Sequence, residues 1–421
     1  MNEYAAPDNS IFLSQRLEFE PAENGVLARG PYQRDRDRIV HSRAFRRLMH
    51  KTQVFNANFG DHYRNRLTHS LEVSQISRSI GKPLGLNDEL IEAIALGHDL
   101  GHTPFGHVGE RTIHMIISGQ IYIDHFVGLS EGFKHNYQGL QVVDHIESGR
   151  SDQYGLNLTL AVREGILKHT DRYMKCNGRQ DEIIYQDLDF RNISINKPSM
   201  TLEGQLVAIC DEIAQCTHDL EDAFRANIIN SDDLYEFDLV KKIADERNID
   251  VKNLKITVDV RYLIIREMVN YLIYDVYQET TNAITQYKQT YGLPRFTSQT
   301  DVFLEKVVGF TSETSEMIDQ LKKQKTDLIL SSKVISQSDA KAEYFIKQMF
   351  KAYYAHPKQL PDYILKRYCK RTGIDYSRMN LKDEVLRSNP MFVRLICDHI
   401  ACMTDQYAER EYKRLYLPDY T

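Results

Sequence analysis

The sequence predicts an all-α fold with a C-terminal helical extension and at most a small β-hairpin. Apolar residues recur at steps of three, four and seven along most of the chain, the spacing that lines one face of a helix. Asn87, able to cap a helix N-terminus, stands just ahead of one of these runs. Alternating apolar segments, the mark of half-buried strands, are too few to build a sheet.

Taken in order, the first clear helix opens around Arg66-Leu67-Thr68-His69-Ser70-Leu71-Glu72-Val73. Asn87 caps a second, with Asp88 and Glu89 in its first turn and Leu90, Ile91, Ile94 and Ala95 on its apolar face. Gly101 and Pro104 end that helix. From Thr201 onward, Leu202, Leu206, Ile209, Ile213 and Leu220 mark a long third helix. Further helices are expected over roughly 261–290, 299–331, 338–355 and 382–413, the last with Phe392, Leu395, Ile396, Ile400 and Met403 on one face. Ile256, Val258, Val260 and Tyr262 alternate and predict a strand over 256–262, with Ile183 to Ile195 a weaker partner. No repeat, low-complexity tract or linker divides the chain. One mainly helical domain over 1–421 is expected, with a core over about 60–225 and a C-terminal helical region over about 260–421.

With 42% hydrophobic and 27% charged residues, the 421-residue chain reads as a globular protein. No apolar run reaches membrane-spanning length and no basic-then-apolar leader opens the chain, so a cytoplasmic location and no membrane partner are expected. The six cysteines form no C-x-x-C pair and read as reduced, mostly buried thiols. A net charge of -6 argues against a surface coated for nucleic acid. Residues 34–51 go against that average: Arg34, Arg36, Arg38, Arg43, Arg46, Arg47 and Lys51 face only Asp35 and Asp37. This patch suits a local anion such as a polyphosphate, or is a solvated helix face.

Of 15 histidines, 11 fall between His41 and His145, a quarter of the chain, and such a density asks for metal or proton chemistry. His69 lies near a helix start, and the adjacent His98-Asp99 project from a helix end. Asp211 sits beside the apolar stripe of its helix, an unusual place for a carboxylate unless it is paired or metal-bound. His107 and Glu110 stand one turn apart and can touch. Two imidazoles and two carboxylates can hold one divalent cation with positions left open for a water and a phosphoryl oxygen.

The order His69, His98-Asp99, Asp211 resembles the H…HD…D signature of the HD superfamily of phosphohydrolases. The surrounding text resembles one branch, the deoxyguanosine triphosphate triphosphohydrolase-like enzymes, relatives of the human SAM- and HD-domain dNTPase. The resemblance is carried by Arg34-Asp35-Arg36-Asp37-Arg38-Ile39-Val40-His41-Ser42, Ala44-Phe45-Arg46-Arg47-Leu48, Lys51-Thr52-Gln53-Val54-Phe55 and Gly60-Asp61-His62-Tyr63-Arg64. It continues through Arg66 to Ser70, His98 to His107, His135-Asn136-Tyr137-Gln138, Arg163 to His169, Thr217 to Asp222 and Met403 to Ala408, in the family's order over most of the chain.

The resemblance implies an HD-domain helical fold and hydrolysis of a dNTP to deoxynucleoside and inorganic triphosphate. It implies one divalent metal ion on His69, His98, Asp99 and Asp211, with manganese, magnesium, iron, cobalt, nickel and zinc all left open. His107 would donate the proton to the leaving 5'-oxygen, oriented by Glu110, and His102 would bind phosphate or assist, or only brace its loop. Arg66 would bind phosphate, Gln53 the sugar edge and Asp219 the 3'-hydroxyl. His135 matches the histidine of an EHN-x-Q-like segment, with Lys134 where Glu is frequent. Lys168 would bind the polyphosphate, or is a solvated surface lysine. One departure stands out: Gln215 occupies the place of a tyrosine that closes off the 2'-position in better-known relatives, which puts that means of excluding ribonucleotides in doubt.

The family also implies a homo-oligomer, a tetramer or hexamer, with dNTP activators at subunit interfaces. Two other readings stay open: another HD phosphohydrolase (a nucleotidase, phosphodiesterase or alarmone hydrolase), and a nucleotide-gated binder of single-stranded nucleic acid supported by the 34–51 patch. An inert scaffold fits poorly with the intact ligand set.

Overall fold

The helix foreseen behind Asn87 is present in the computed structural model, and the Asn87 side chain accepts from Leu90 N at 3.2 Å. The structure describes the chain except residues 1, 22, 24, 55–62, 125, 130–131, 148–154, 171–174, 177–178, 181–187, 248, 250–257, 378–380 and 419–421. In chain order, α1 (Pro31–His41) and α2 (Arg43–Arg47) are followed by α3 (Arg66–Leu84), α4 (Asp88–Gly97), α5 (Gly106–Ile117), α6 (His135–Gln141) and α7 (Leu160–Leu167). Next come α8 (Leu202–Arg225), α9 (Ser231–Tyr235), α10 (Asp238–Arg247), α11 (Val258–Tyr291) and α12 (Ser312–Lys325). The C-terminal region is built from α13 (Lys333–Ala355), α14 (Asp362–Thr372), α15 (Asp383–Arg387), α16 (Pro390–Ala401) and α17 (Asp405–Tyr416).

The only sheet among the described residues is a hairpin of Lys175–Cys176 with Arg179–Gln180, so the all-α expectation holds. The hairpin is not where the alternation placed it. From Val258 the chain is already in α11, whose Ile264, Met268, Leu272 and Val276 are buried at helical spacing, and that longer apolar stripe overrides the short alternation. Residues 188–195 form no strand, and the rest of both strand candidates lies outside the described residues.

The helix expected over 299–331 starts only at Ser312, because Asp301 takes the donors of Arg295 N, Thr297 N and Thr297 Oγ1 and stabilises a loop. The stretch 382–413 is three helices. Pro390 lacks the donor to continue α15, and Thr404 caps a new start by accepting from Tyr407 N at 3.2 Å.

The hydrophobic interior has two clusters. The larger packs α3, α4, α7 and α8 through Val73, Ile80, Ile91, Ile94, Ile166, Leu206 and Ile213. The smaller packs Ile113, Ile116 and Ile117 of α5 against Met349 and Phe350 of α13 and Phe392 and Ile396 of α16. Each such fully buried side chain contributes roughly 1.5–3 kcal/mol. Helix α5 thus presents one face to the C-terminal helices, which anchors the helix that carries His107 and Glu110. Of the cysteines with described side chains, all five are free thiols and four are buried.

Candidate active site

His69 sits in the first turn of α3, held there by a reciprocal cap: Asn65 accepts from Thr68 N at 3.0 Å, and Thr68 Oγ1 accepts from Asn65 N at 3.2 Å. Its Nε2 lies 2.8 Å from Asp211 Oδ1 on α8. His98 ends α4, and its Nδ1 donates to Ala95 O at 2.6 Å, which leaves the Nε2 lone pair free. That nitrogen is buried, makes no hydrogen bond among the described residues, and faces Asp99 Oδ1 at 3.4 Å and Asp211 Oδ1 at 3.7 Å. A lone pair pointed at two carboxylate oxygens is repulsive unless a cation lies between them, so the donors fit a divalent metal. The candidate ligand atoms of His69, His98 and Asp211 lie within 4.8 Å of one another. Asp99, the fourth expected ligand, instead holds Arg66 Nη1 at 3.0 Å and His102 Nε2 at 3.0 Å.

Burial alone would raise the Asp99 carboxyl, but His98, Arg66 and His102 outweigh it and hold it well below the usual carboxylate range. Arg66 is itself buried, and its Nε and Nη2 donate to nothing among the described residues. Buried, unspent guanidinium donors suit a phosphate.

The loop after α4 depends on Gly101. A Cβ there would lie 2.0 Å from His135 O and 2.2 Å from Gly139 N, so only glycine lets the loop lie against α6. Phe105 takes a positive φ of 62° at the start of α5, the helix that carries His107. His107 is exposed, and its Nδ1 is 3.6 Å from Glu110 Oε2.

Glu110 makes a closer partner of His135, whose Nδ1 is 2.8 Å away. Burial would raise the Glu110 carboxyl, but His135 and His107 keep it well below its ordinary range. The His102 ring stacks on that of His135 with centroids 3.8 Å apart, and burial, Arg66 and His135 push its imidazole well down. His102, Glu110 and His135 form a second group with metal-ligand donors.

The remaining expected residues lie where side-chain pairing defines them. Gln53 is buried, with Oε1 unpartnered among the described residues. Lys168 is no surface lysine: it is buried, with Nζ 2.6 Å from Glu164 Oε1 and donating to Pro198 O at 3.1 Å. Along α8, Gln215 is half-buried between Asp211 and Asp219, and Asp219 is paired with Lys325 Nζ at 2.6 Å.

Three functional-looking residues had no individual role in the sequence reading, Lys51 having been counted only in the 34–51 cationic patch. Lys325 was unmarked, being 106 positions from its partner. Lys51 and His169 both lie in strings that carry the family resemblance. The buried Lys51 ammonium donates to His102 O and to Ala401 O at 2.9 Å. His169 Nε2 lies 3.1 Å from His135 Nε2, and burial, His98 and His135 push its imidazole down to about 3.

Much of the 34–51 charge is consumed locally. Arg34 and Arg38 pair with Glu20, Arg36 with Asp37 and Glu92, and Arg47 with Glu147. Arg43, Arg46 and Arg47 also line a cavity of about 820 Å³ with His50, Tyr363 and Arg367.

Comparison with known proteins matches residues 66–215 to the HD domain family and residues 308–414 to the phosphohydrolase-associated domain. The chain is 35% identical to a deoxyguanosinetriphosphate triphosphohydrolase-like protein of Rickettsia bellii, over 92% of each chain. It is equally 35% identical to proteins of that description from Geobacter metallireducens (93% of this chain, 89% of the relative) and Bordetella pertussis (99% and 97%). The signature histidines and aspartates fall inside the matched HD segment, and the relatives match nearly end to end. The chain therefore belongs to the deoxyguanosinetriphosphate triphosphohydrolase-like family of HD-domain phosphohydrolases.

Proposed function

We propose that this protein hydrolyses deoxynucleoside triphosphates to deoxynucleoside and inorganic triphosphate. The observation that carries this is a linked pair of sites. The His69–His98–Asp211 donors connect through Asp99 and His102 to His107, Glu110 and His135, with Arg66 donors unspent between them. A divalent cation held by His69, His98, Asp99 and Asp211 would polarise a phosphoryl oxygen and acidify a water.

The chain's own groups supply the rest. Arg66 binds and orients phosphate oxygens through Nε and Nη2. Water adds at the α-phosphorus, the bond to the 5'-oxygen breaks, and His107 delivers a proton to that oxygen with Glu110 orienting the ring. His102 and His135 line the same pocket, and Lys168, held by Glu164, is the remaining candidate for a polyphosphate contact. Gln53 and Asp219 contact the sugar. Gln215 replaces a bulky closure, so ribonucleotides are excluded less strictly than a tyrosine would exclude them.

The arginine-lined cavity supports a nucleotide activator, because its guanidinium groups suit phosphate and Tyr363 offers a stacking face; the homo-oligomer, a tetramer or hexamer, rests on the family resemblance. Among the described residues no helix is long and apolar enough to cross a membrane.

The test is to incubate the purified protein with each dNTP, singly and mixed, with manganese or magnesium, and resolve the products by ion exchange. Intact triphosphate with free deoxynucleoside supports the proposal. Pyrophosphate or monophosphate points to another HD phosphohydrolase. Turnover only in mixtures supports an activator.

A further inference from the structure

Helix α8 carries two further polar side chains beyond Asp211. Gln215 and Asp219 follow at steps of four, so the three occupy neighbouring parts of one face, with Asp219 about 12 Å along the helix from Asp211. Helix α12 packs on α8 and is pinned there by Lys322, which pairs with Glu212 of α8 and lies 3.5 Å from Asp319 of its own helix. One turn on, at the last residue of α12, the Lys325 ammonium donates to Asp219 Oδ2 at 2.6 Å. The two side chains are buried, with 9% and 4% of their surface exposed.

An ammonium has three hydrogens to give, and a carboxylate has two oxygens to accept them. Among the described residues Lys325 spends one hydrogen, on Asp219, and Asp219 Oδ1 receives none. Burying an ion pair is costly unless its remaining donors and acceptors are met. Gln215, between Asp211 and Asp219, is half-buried and makes no hydrogen bond among the described residues, so it does not meet them. An oxygen that accepts beside an ammonium that donates matches a single hydroxyl, which gives one hydrogen and accepts another.

We propose that Lys325 is a specificity-determining residue for the sugar: it donates to the 3'-oxygen of a bound deoxynucleotide while Asp219 Oδ1 accepts the hydrogen of the same hydroxyl. The inference rests on the hydrolase reading above for the placing of Asp219 at the 3'-hydroxyl, and it adds the second half of that contact. A site built in this way rejects a nucleotide that lacks the 3'-hydroxyl, because both buried charges then lose a partner. The 3'-edge is thus read from two helices, α8 and α12, whatever Gln215 does at the 2'-edge.

The test measures kcat/KM of the full-length protein for each dNTP and its 2',3'-dideoxy counterpart, in the wild type, Lys325→Met, Asp219→Asn and the double variant. The wild type prefers the dNTP by roughly 100-fold or more, two hydrogen bonds to charged groups at about 10-fold each or better. In Lys325→Met, kcat/KM for the dNTP falls roughly 10- to 100-fold, while the value for the dideoxynucleotide changes by no more than about a few-fold. A lysine that serves only as counter-ion lowers both substrates together and leaves the preference intact, and that result overturns the proposal. So does a wild type indifferent to the 3'-hydroxyl. Lys325→Met leaves a buried carboxylate unpaired, which endangers the fold, and Asp219→Asn removes that charge. In this neutral background the Lys325→Met change narrows the preference by a further ~10-fold, and a preference it leaves unaltered contradicts direct contact. If the wild type hydrolyses no dNTP, the functional reading fails. Calorimetric titration of the same four proteins with both nucleotides then reads the preference as a ratio of Kd values, with the same outcomes, and binding of neither nucleotide also overturns the proposal.

Discussion

Replacing Gly101 with alanine separates damage to the site from damage to the fold. The added Cβ would meet His135 O at 2.0 Å and Gly139 N at 2.2 Å, and both are backbone atoms that cannot rotate aside. Restoring ordinary contact requires the His98–His102 loop and α6 to part by about 1.3 Å, an overpacking that costs roughly 3 kcal/mol, the upper end of the usual range. A chain of 421 residues has an unfolding entropy of about 0.9 kcal/mol/K, so the melting temperature should fall by only about 3 °C. The same displacement moves His98, Asp99 and His102 relative to His135, and misplacement of catalytic groups by about 1 Å costs on the order of 100-fold in rate. Gly101→Ala should therefore be folded, slightly less stable and nearly inactive, with weakened metal binding. Differential scanning calorimetry, metal analysis and steady-state kinetics read the three quantities. A variant that retains wild-type turnover and metal would refute the idea that this close approach sets the site.

The remaining predictions address single groups. Asp211→Ala should lose bound metal and activity together, measured by elemental analysis and turnover; retention of both would remove Asp211 from the site. His107→Ala should keep metal and fold yet lose roughly 10²- to 10⁴-fold in kcat, the span of general acid catalysis, and an unchanged rate would contradict its role. Burial pushes the Lys51 ammonium down to about 7 from its ordinary 10.5, so the folded state favours the neutral amine. The resulting stability is present above about pH 10.5 and is lost as pH falls toward 7. Denaturant unfolding of the wild type should thus show stability rising between pH 7 and 10 relative to Lys51→Met; parallel pH profiles would contradict this.

The parts of this fold legible in the sequence were those fixed by local chemistry. Asn87 caps α4 where its side chain and the following apolar stripe indicated, and α8 starts at the stripe read from Leu202 onward. The strand expected at 256–262 failed because four alternating residues say less than the buried stripe that continues to Ile284. The break before α12 was hidden because Asp301 is an ordinary acid until its three backbone and hydroxyl donors are seen around it.

The candidate site divides in the same way. His69, His98 and Asp211 carry a recognisable order, and the fold draws them together. The sharing of Glu110 between His107 and His135 crosses 25 residues, and the Lys51 contact to His102 crosses 51. No spacing rule on a single element can show such pairings. His169 was passed over for the same reason, its partner being 34 residues away on another helix.

Attack of water at the α-phosphorus with the 5'-oxygen leaving, as proposed, is checked most directly by running the reaction in ¹⁸O-labelled water and weighing both products. The proposed reaction yields inorganic triphosphate carrying one labelled oxygen and an unlabelled deoxynucleoside. Label in the deoxynucleoside, or release of pyrophosphate or monophosphate, would contradict it.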